Sequence, residues 1–253
     1  MTSGMTSLAI YQKEAWYDLV SVWRTPGFVL PALAFPLVFY LFFGVLFSPS
    51  GSGSQAAYML VTYSCFGIMG PAMFNFAMSI ASDRAQGWLT LKRLSPMPVS
   101  AYLLAKMATS LVFALLIILL LFSAAALFGE VRLYQHQWLG LALLMLLGTV
   151  PFALIGLLLG LTLSDKAAPG VVNLLYLPMA FLSGLWLPVT MLPHLMQQLA
   201  WLWPSYHLSQ LGLKLLAMDQ GHAALLHLAL LLVTSAGLTL LCLLVFRRVI
   251  GAK

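Results

Sequence analysis

Charged residues are scarce in this sequence. Of its 253 residues only 7% are Asp, Glu, Lys or Arg, where a soluble domain carries about a quarter. Hydrophobic residues make up 62%. A surface so poor in charge cannot stay dissolved in water, which excludes a soluble enzyme and leaves lipid as the solvent. Cysteine is scarce too. Cys65 and Cys242 both lie in apolar runs and form no CxxC motif, so they read as small buried hydrophobes and no disulfide framework is expected. The long apolar runs hold no acidic residue. Proton pumps and ion-coupled carriers keep ionisable relays inside the membrane, so the energy for any transport is expected to enter from elsewhere. There is no GxxxxGKS/T loop to cradle ATP phosphates, no HExxH metal motif and no GxSxG nucleophile elbow. No catalytic residue, metal ligand or cofactor site is therefore expected on this chain.

What the sequence does contain is six apolar runs, at 28–47, 57–82, 101–128, 138–163, 167–190 and 222–246. Each has the roughly 20 residues a spanning helix needs. The strands of a membrane β-barrel would alternate over about ten residues, and these runs do not. The expected fold is all-α: a polytopic membrane protein with six transmembrane helices in a single domain. The first run is too long for a signal-peptide core and follows a charged tail of 27 residues, so it is expected to remain as a span.

The net charge of +6 has a better explanation than a nucleic-acid partner, and none is expected. With the N-terminus inside, the inner segments hold Lys13, Arg24, Arg84, Lys92, Arg93, Lys106, Lys166, Arg247, Arg248 and Lys253. The outer segments hold only Arg132 and Lys214. This is the positive-inside pattern, and six spans return the C-terminus to the cytoplasmic side of the inner membrane. Ahead of the first span, residues 7–24 place Trp16, Leu19, Val20 and Trp23 at the spacing of one helical face. Such a helix lies in the headgroup plane, and Thr25-Pro26-Gly27 then turns the chain into the bilayer. All seven tryptophans fall near span ends or in interfacial segments, as in an aromatic belt.

Polar residues inside the runs are few. Asn75 and Asn173 are expected either to hydrogen-bond a neighbouring helix or to line a substrate path. Gly156 and Gly160 have the GxxxG spacing that lets helices approach closely. Lys106 sits near a span end and is expected to snorkel. The Gly/Ser stretch within 48–56 formally fits a dinucleotide fingerprint but joins two spans, so it reads as a flexible outer loop. Beyond the fifth span, Pro188, Pro193 and Pro204 break an apolar stretch into pieces too short to cross. Two short helices within 191–217, the second capped by Ser205, are expected to form an outer re-entrant hairpin packed on other spans. The five histidines, His136, His194, His207, His222 and His227, match no zinc spacing. On a continuous helix His222 and His227 would not share a face, and all five read as interfacial polar residues.

The segment between the second and third spans is the most informative. Asp83 and Gln86 fit a capping box, Pro96 and Pro98 stop a helix, and Trp88, Leu91 and Leu94 recur at helical spacing. A short helix over 83–98 that shows Trp and Leu to the cytoplasm suits a groove on a partner. The whole segment reads Ser82-Asp83-Arg84-Ala85-Gln86-Gly87-Trp88-Leu89-Thr90-Leu91-Lys92-Arg93-Leu94-Ser95-Pro96-Met97-Pro98, followed by Tyr102 and Lys106. It resembles the cytoplasmic coupling loop of type-2 ABC exporter permeases. Leu182-Ser183-Gly184-Leu185-Trp186-Leu187-Pro188, Leu192-Pro193 and Trp203-Pro204-Ser205-Tyr206-His207 resemble the same family's signature before its last span. Ala85 departs from the pattern, standing where many members have a second acidic residue. The resemblance implies a half-transporter: a homodimer of permeases, two separate ATPase subunits that carry ATP and Mg, and coupling through Asp83, Arg84, Gly87, Trp88, Leu91, Leu94 and Pro96. Family substrates include hydrophobic drugs, lipids and polysaccharides. The low polarity of the runs leans toward an amphiphilic or apolar substrate. The alternatives are an ion-coupled secondary transporter or a membrane anchor of a larger complex.

Overall fold

The computed structural model describes residues 7–47, 53–88 and 98–251. Among these residues there are helices and no strands. In chain order they are α1 (Ser7–Trp23), α2 (Pro26–Phe39), α3 (Gly53–Ala85), α4 (Val99–Phe128), α5 (Gln135–Thr162), α6 (Ala168–Leu182), α7 (His194–Ala200), α8 (Pro204–Leu215) and α9 (Ala224–Gly251). Two prolines inside α2, Pro31 and Pro36, interrupt its hydrogen-bond ladder, and the helix loosens into a π turn over Tyr40–Leu46.

Five segments are long and apolar enough to cross a bilayer: Pro26–Leu46, Gly53–Ala85, Ser100–Phe128, Gln135–Thr162 and Ala224–Arg248. The sixth apolar run, expected to span over 167–190, is helical only over Ala168–Leu182. At 1.5 Å per residue that is about 22 Å, short of the roughly 30 Å hydrocarbon core. Hydropathy continues past Leu182, but the backbone does not. Gly184 takes φ +73, and a Cβ there would lie 2.6 Å from Val189 Cγ2. Only glycine tolerates both the conformation and the contact. Pro188 then leads into a 3-10 turn over Val189–Met191.

The core is built around α3, which is buried along most of its length. Its broadest contact is with α5, and the GxxxG pair makes that contact possible. A Cβ at Gly156 would lie 2.5 Å from the Met73 carbonyl oxygen, and one at Gly160 2.9 Å from that of Ala77. The small residues are thus spent on a seam within one chain. On the periphery, α1 lies along α4 with Asp18 turned inward. Trp16 and Trp23 are 64% and 52% exposed, where headgroups would surround them.

In the hairpin that follows α6, expected on the outer side, Trp203 occupies the cap position of α8 and Pro204 its first turn, rather than Ser205. A proline with fixed φ is pre-shaped for that turn. Ser205 is buried instead, and its hydroxyl meets that of Ser183 at 2.6 Å, which ties α8 to the end of α6.

Candidate functional site

At the expected cytoplasmic end, α3 continues through Asp83 and Arg84, so Asp83 caps no separate helix and the capping box with Gln86 is not formed. Gln86 Nε2 donates to Ser82 Oγ at 2.8 Å instead. The carboxylate of Asp83 accepts a hydrogen bond of 2.6 Å from the Tyr102 hydroxyl on α4. Arg84 Nη1 donates to the carbonyls of Gly160 and Leu163, at 3.0 and 3.2 Å. These lie at the C-terminal end of α5, where a cation also suits the helix dipole. Gly87, at φ +76, terminates α3 in the left-handed conformation glycine favours. Trp88 is 49% exposed and donates its Nε1–H to Gln86 Oε1 at 2.9 Å. Leu91, Leu94 and Pro96 lie outside the described residues.

Lys106 does not snorkel. Its side chain is buried, and Nζ lies 2.9 Å from Asp18 Oδ1. The other carboxylate oxygen of Asp18 accepts from Thr109 Oγ1 at 2.6 Å, and Nζ also sits 4.8 Å from the centre of the Tyr102 ring. A continuous polar chain therefore joins α1 (Asp18), α4 (Lys106, Tyr102), α3 (Asp83, Arg84) and the end of α5, at the point where the 83–98 segment leaves the bundle. Sequence reasoning picked out Asp83, Arg84 and Tyr102 but not the Asp18–Lys106 pair. A lone lysine eight residues into an apolar helix was the available signal, because such a charge needs a partner.

Farther along the helices, α2, α3 and α6 border an open cleft of about 380 Å³. Its walls include Pro31, Phe35, Gly70, Pro71 and Tyr176, with Asn173 exposed on the α6 side. No charged side chain among the described residues lines it. Asn75 lies below, buried on α3, and its Nδ2 has no hydrogen-bond partner among the described residues. Of the two asparagines, one thus opens on the cleft, and the amide nitrogen of the other is left unpaired.

The hairpin after α6 gathers the remaining expected residues around Trp201. Pro188 precedes the 3-10 turn, Pro193 caps α7 and Pro204 opens α8. Gly184 makes the turn that lets the hairpin fold back. Tyr206 is buried against the Trp201 ring, with its hydroxyl 3.4 Å from Gln220 Oε1. The histidines differ most from expectation. Because α9 begins at Ala224, His222 precedes the helix and its ring packs 6.1 Å from that of His227. His207 and His227 are buried, with their Nδ1 atoms 3.0 Å apart. His207 Nε2 lies 2.9 Å from the Trp201 carbonyl, which can only accept. His207 therefore carries its proton on Nε2, and its Nδ1 accepts from the Nδ1–H of His227. Burial lowers the pKa of His207, against the opposing effect of that carbonyl. Nearby, Lys214 Nζ donates to Asp219 at 2.6 Å and holds its carboxyl below the usual range. No local sequence pattern announces the His207–His227 contact, since its partners lie on different helices.

Among known proteins, the family model for the ABC-2 type transporter matches residues 12–216. Over 200 residues the chain is 32% identical to "Putative transport permease YvfS" of Bacillus subtilis (strain 168), covering 78% of this chain and 82% of that protein.

Proposed function

We propose that this chain, which belongs to the ABC-2 type transporter family, is the membrane subunit of an ATP-driven exporter. It is a multi-pass transport permease. In the proposed assembly two copies form the pathway in the inner membrane with their termini in the cytoplasm. Two separate ATPase subunits bind ATP and Mg and dock on the segment from Asp83 to Pro98. The substrate is amphiphilic or apolar and is taken from the cytoplasm or the inner leaflet.

The cleft between α2, α3 and α6 carries this reading. A charged solute entering its uncharged walls would lose hydration without gaining a partner, whereas an apolar body loses nothing. The polar chain at the cytoplasmic end supports the ATPase docking site. Movement of Trp88 and Gly87 passes directly into α3, and through Tyr102 and Arg84 into α4 and α5.

The test is co-purification of the tagged permease with its co-expressed ATPase. Aromatic anchors of such interfaces cost about 2 kcal/mol or more when truncated, so Trp88→Ala is expected to weaken co-purification at least tenfold. Gly87→Pro should uncouple transport, with insertion and size-exclusion profile unchanged for both variants. Normal binding and export by both would overturn the docking assignment. Vanadate-sensitive ATP hydrolysis by the pure chain would overturn the assignment of energy supply to a separate subunit.

A further inference from the structure

A second recess lies beside the main cleft. Its volume is about 200 Å³, and Ser21, Thr25, Phe28, Phe74, Asn75 and Ser79 are among the residues lining it. Phe28 and Phe74 border both spaces, so the two are neighbours divided by a pair of aromatic rings. On α3 the lining residues run Ser79, Asn75, Pro71, Gly67. This is a spacing of four, one stripe of a single helix face. The stripe is polar at the end near α1 and apolar toward the bundle interior, and it extends about 18 Å at 1.5 Å per residue. The α2 side follows the same gradient, from Thr25 through Phe28 and Pro31 to Phe35 and Pro36.

The hydrogen-bond inventory of the recess is incomplete in a specific way. Ser79 Oγ gives its proton to the Asn75 carbonyl. Thr25 Oγ1 gives its proton to the Ser21 carbonyl at 3.2 Å. Both hydroxyls keep lone pairs free to accept. The Asn75 carboxamide has its N–H donors unmatched, although the residue is only 7% exposed. Buried donors are rarely left so, and Asn75 is one of the residues that line the recess. The space thus offers acceptors and one amide donor, and no Asp, Glu, Lys or Arg among the described residues lines it.

We infer that this recess is a headgroup subsite that selects amphiphiles with an uncharged, hydroxyl- or amide-bearing head, with Asn75 as the recognising residue and the main cleft holding the apolar tail. A hydroxyl both donates and accepts, which matches the groups present. A phosphate meets hydroxyl lone pairs and a single amide group with no cation beside it, and an ammonium finds no carboxylate. Either charge would be buried without a counterion. The inference rests on the proposed substrate role of the main cleft.

The experiment uses the full chain in phosphatidylcholine nanodiscs. Three probes share a dodecyl tail with a terminal diazirine and differ in the head: glyceryl, phosphate or trimethylammonium. Each is photolysed at equal bilayer content, and cross-linked peptides are mapped by mass spectrometry. The glyceryl probe is expected to label cleft residues of α2 and α3 about tenfold more than either charged probe, the discrimination of one buried hydrogen bond made or lost. Asn75→Leu should reduce glyceryl labelling to the level of the charged probes. Asn75→Asp should raise trimethylammonium labelling above that of the unaltered chain, a gain that a misfolded variant cannot give. Equal cleft labelling by all three heads, unaffected by both substitutions, overturns the headgroup subsite and leaves the main cleft as the tail site. No cleft labelling by any probe overturns both.

Discussion

Replacing Lys106 with Met tests whether the buried ion pair is what fastens α1 to the bundle. The methionine fills nearly the same volume, so packing is conserved and the ammonium is removed. Asp18 would keep the Thr109 hydrogen bond and lose its cation. Breaking a fully buried pair costs about 3–5 kcal/mol. Here the side chain of Asp18 is 13% exposed and that of Lys106 only 4%, and Asp18 has a second hydrogen bond, so a loss of about 2 kcal/mol is expected. For a chain of this size that corresponds to a fall in Tm of about 4–8 °C. Replacing both partners, Asp18→Asn with Lys106→Met, removes the orphaned charge and should restore most of the loss. Thermal unfolding of the four forms of the cycle in nanodiscs measures this directly. A double variant destabilised by the sum of the singles would refute the pairing. An unaffected Lys106→Met chain would show that α1 is held by its apolar contacts alone.

Three further outcomes are expected. Gly156→Val drives a branched side chain into the backbone of α3 and should cost about 1–3 kcal/mol, seen as loss of monodisperse protein, while Gly170→Val, with nothing within 4 Å, should be neutral. The neutral, buried His207 takes up protons more readily once unfolded, so its contribution is complete above the unfolded pKa of about 6.5 and falls as pH drops below it; protection factors of α8 amides, corrected for the intrinsic exchange rate at each pH, should fall between about pH 7 and 5, and His207→Gln should flatten that dependence. With Cys65 and Cys242 buried, a single introduced cysteine at the exposed Arg132 should react with an impermeant maleimide on intact cells and one at the exposed Lys166 should not; the reverse pattern would invert the orientation.

The membrane class was legible because it depends on composition summed over long windows, and the lipid environment leaves only one way to satisfy the backbone of an apolar run. The extent of α6 was not legible in the same way. Residues 183–190 carry no charge, so the apolar run reads on past Leu182, and it is the φ of Gly184 with its contact on Val189 that ends the helix. At the end of α3, Asp83 and Gln86 fit a local capping pattern, but the continuous helix and the Tyr102 hydroxyl outcompeted it. Lys106 and the paired histidines were misplaced for a shared reason. Their partners, Asp18 and each other, are distant in sequence, and a local pattern carries no trace of a contact 20 or 88 residues away. The GxxxG spacing was visible, but which helix fills it was a property of the packed bundle.

The shortness of α6 has a consequence for the membrane itself. Beside spans of 21 to 33 residues, a helix of 15 leaves the apolar girdle of the protein uneven. The hairpin beyond it supplies part of the missing height, because Leu187, Met191, Leu195 and Leu202 are 47%, 73%, 68% and 69% exposed and point no charge at the acyl chains. Lipids on this flank meet a lower, softer wall than those beside α9. Thickness mismatch costs a fraction of a kcal/mol per ångström, so acyl-chain length acts as a mechanical load on the hairpin. Longer chains would draw those leucines outward, and with them the Ser205–Ser183 contact that ties α8 to the end of α6.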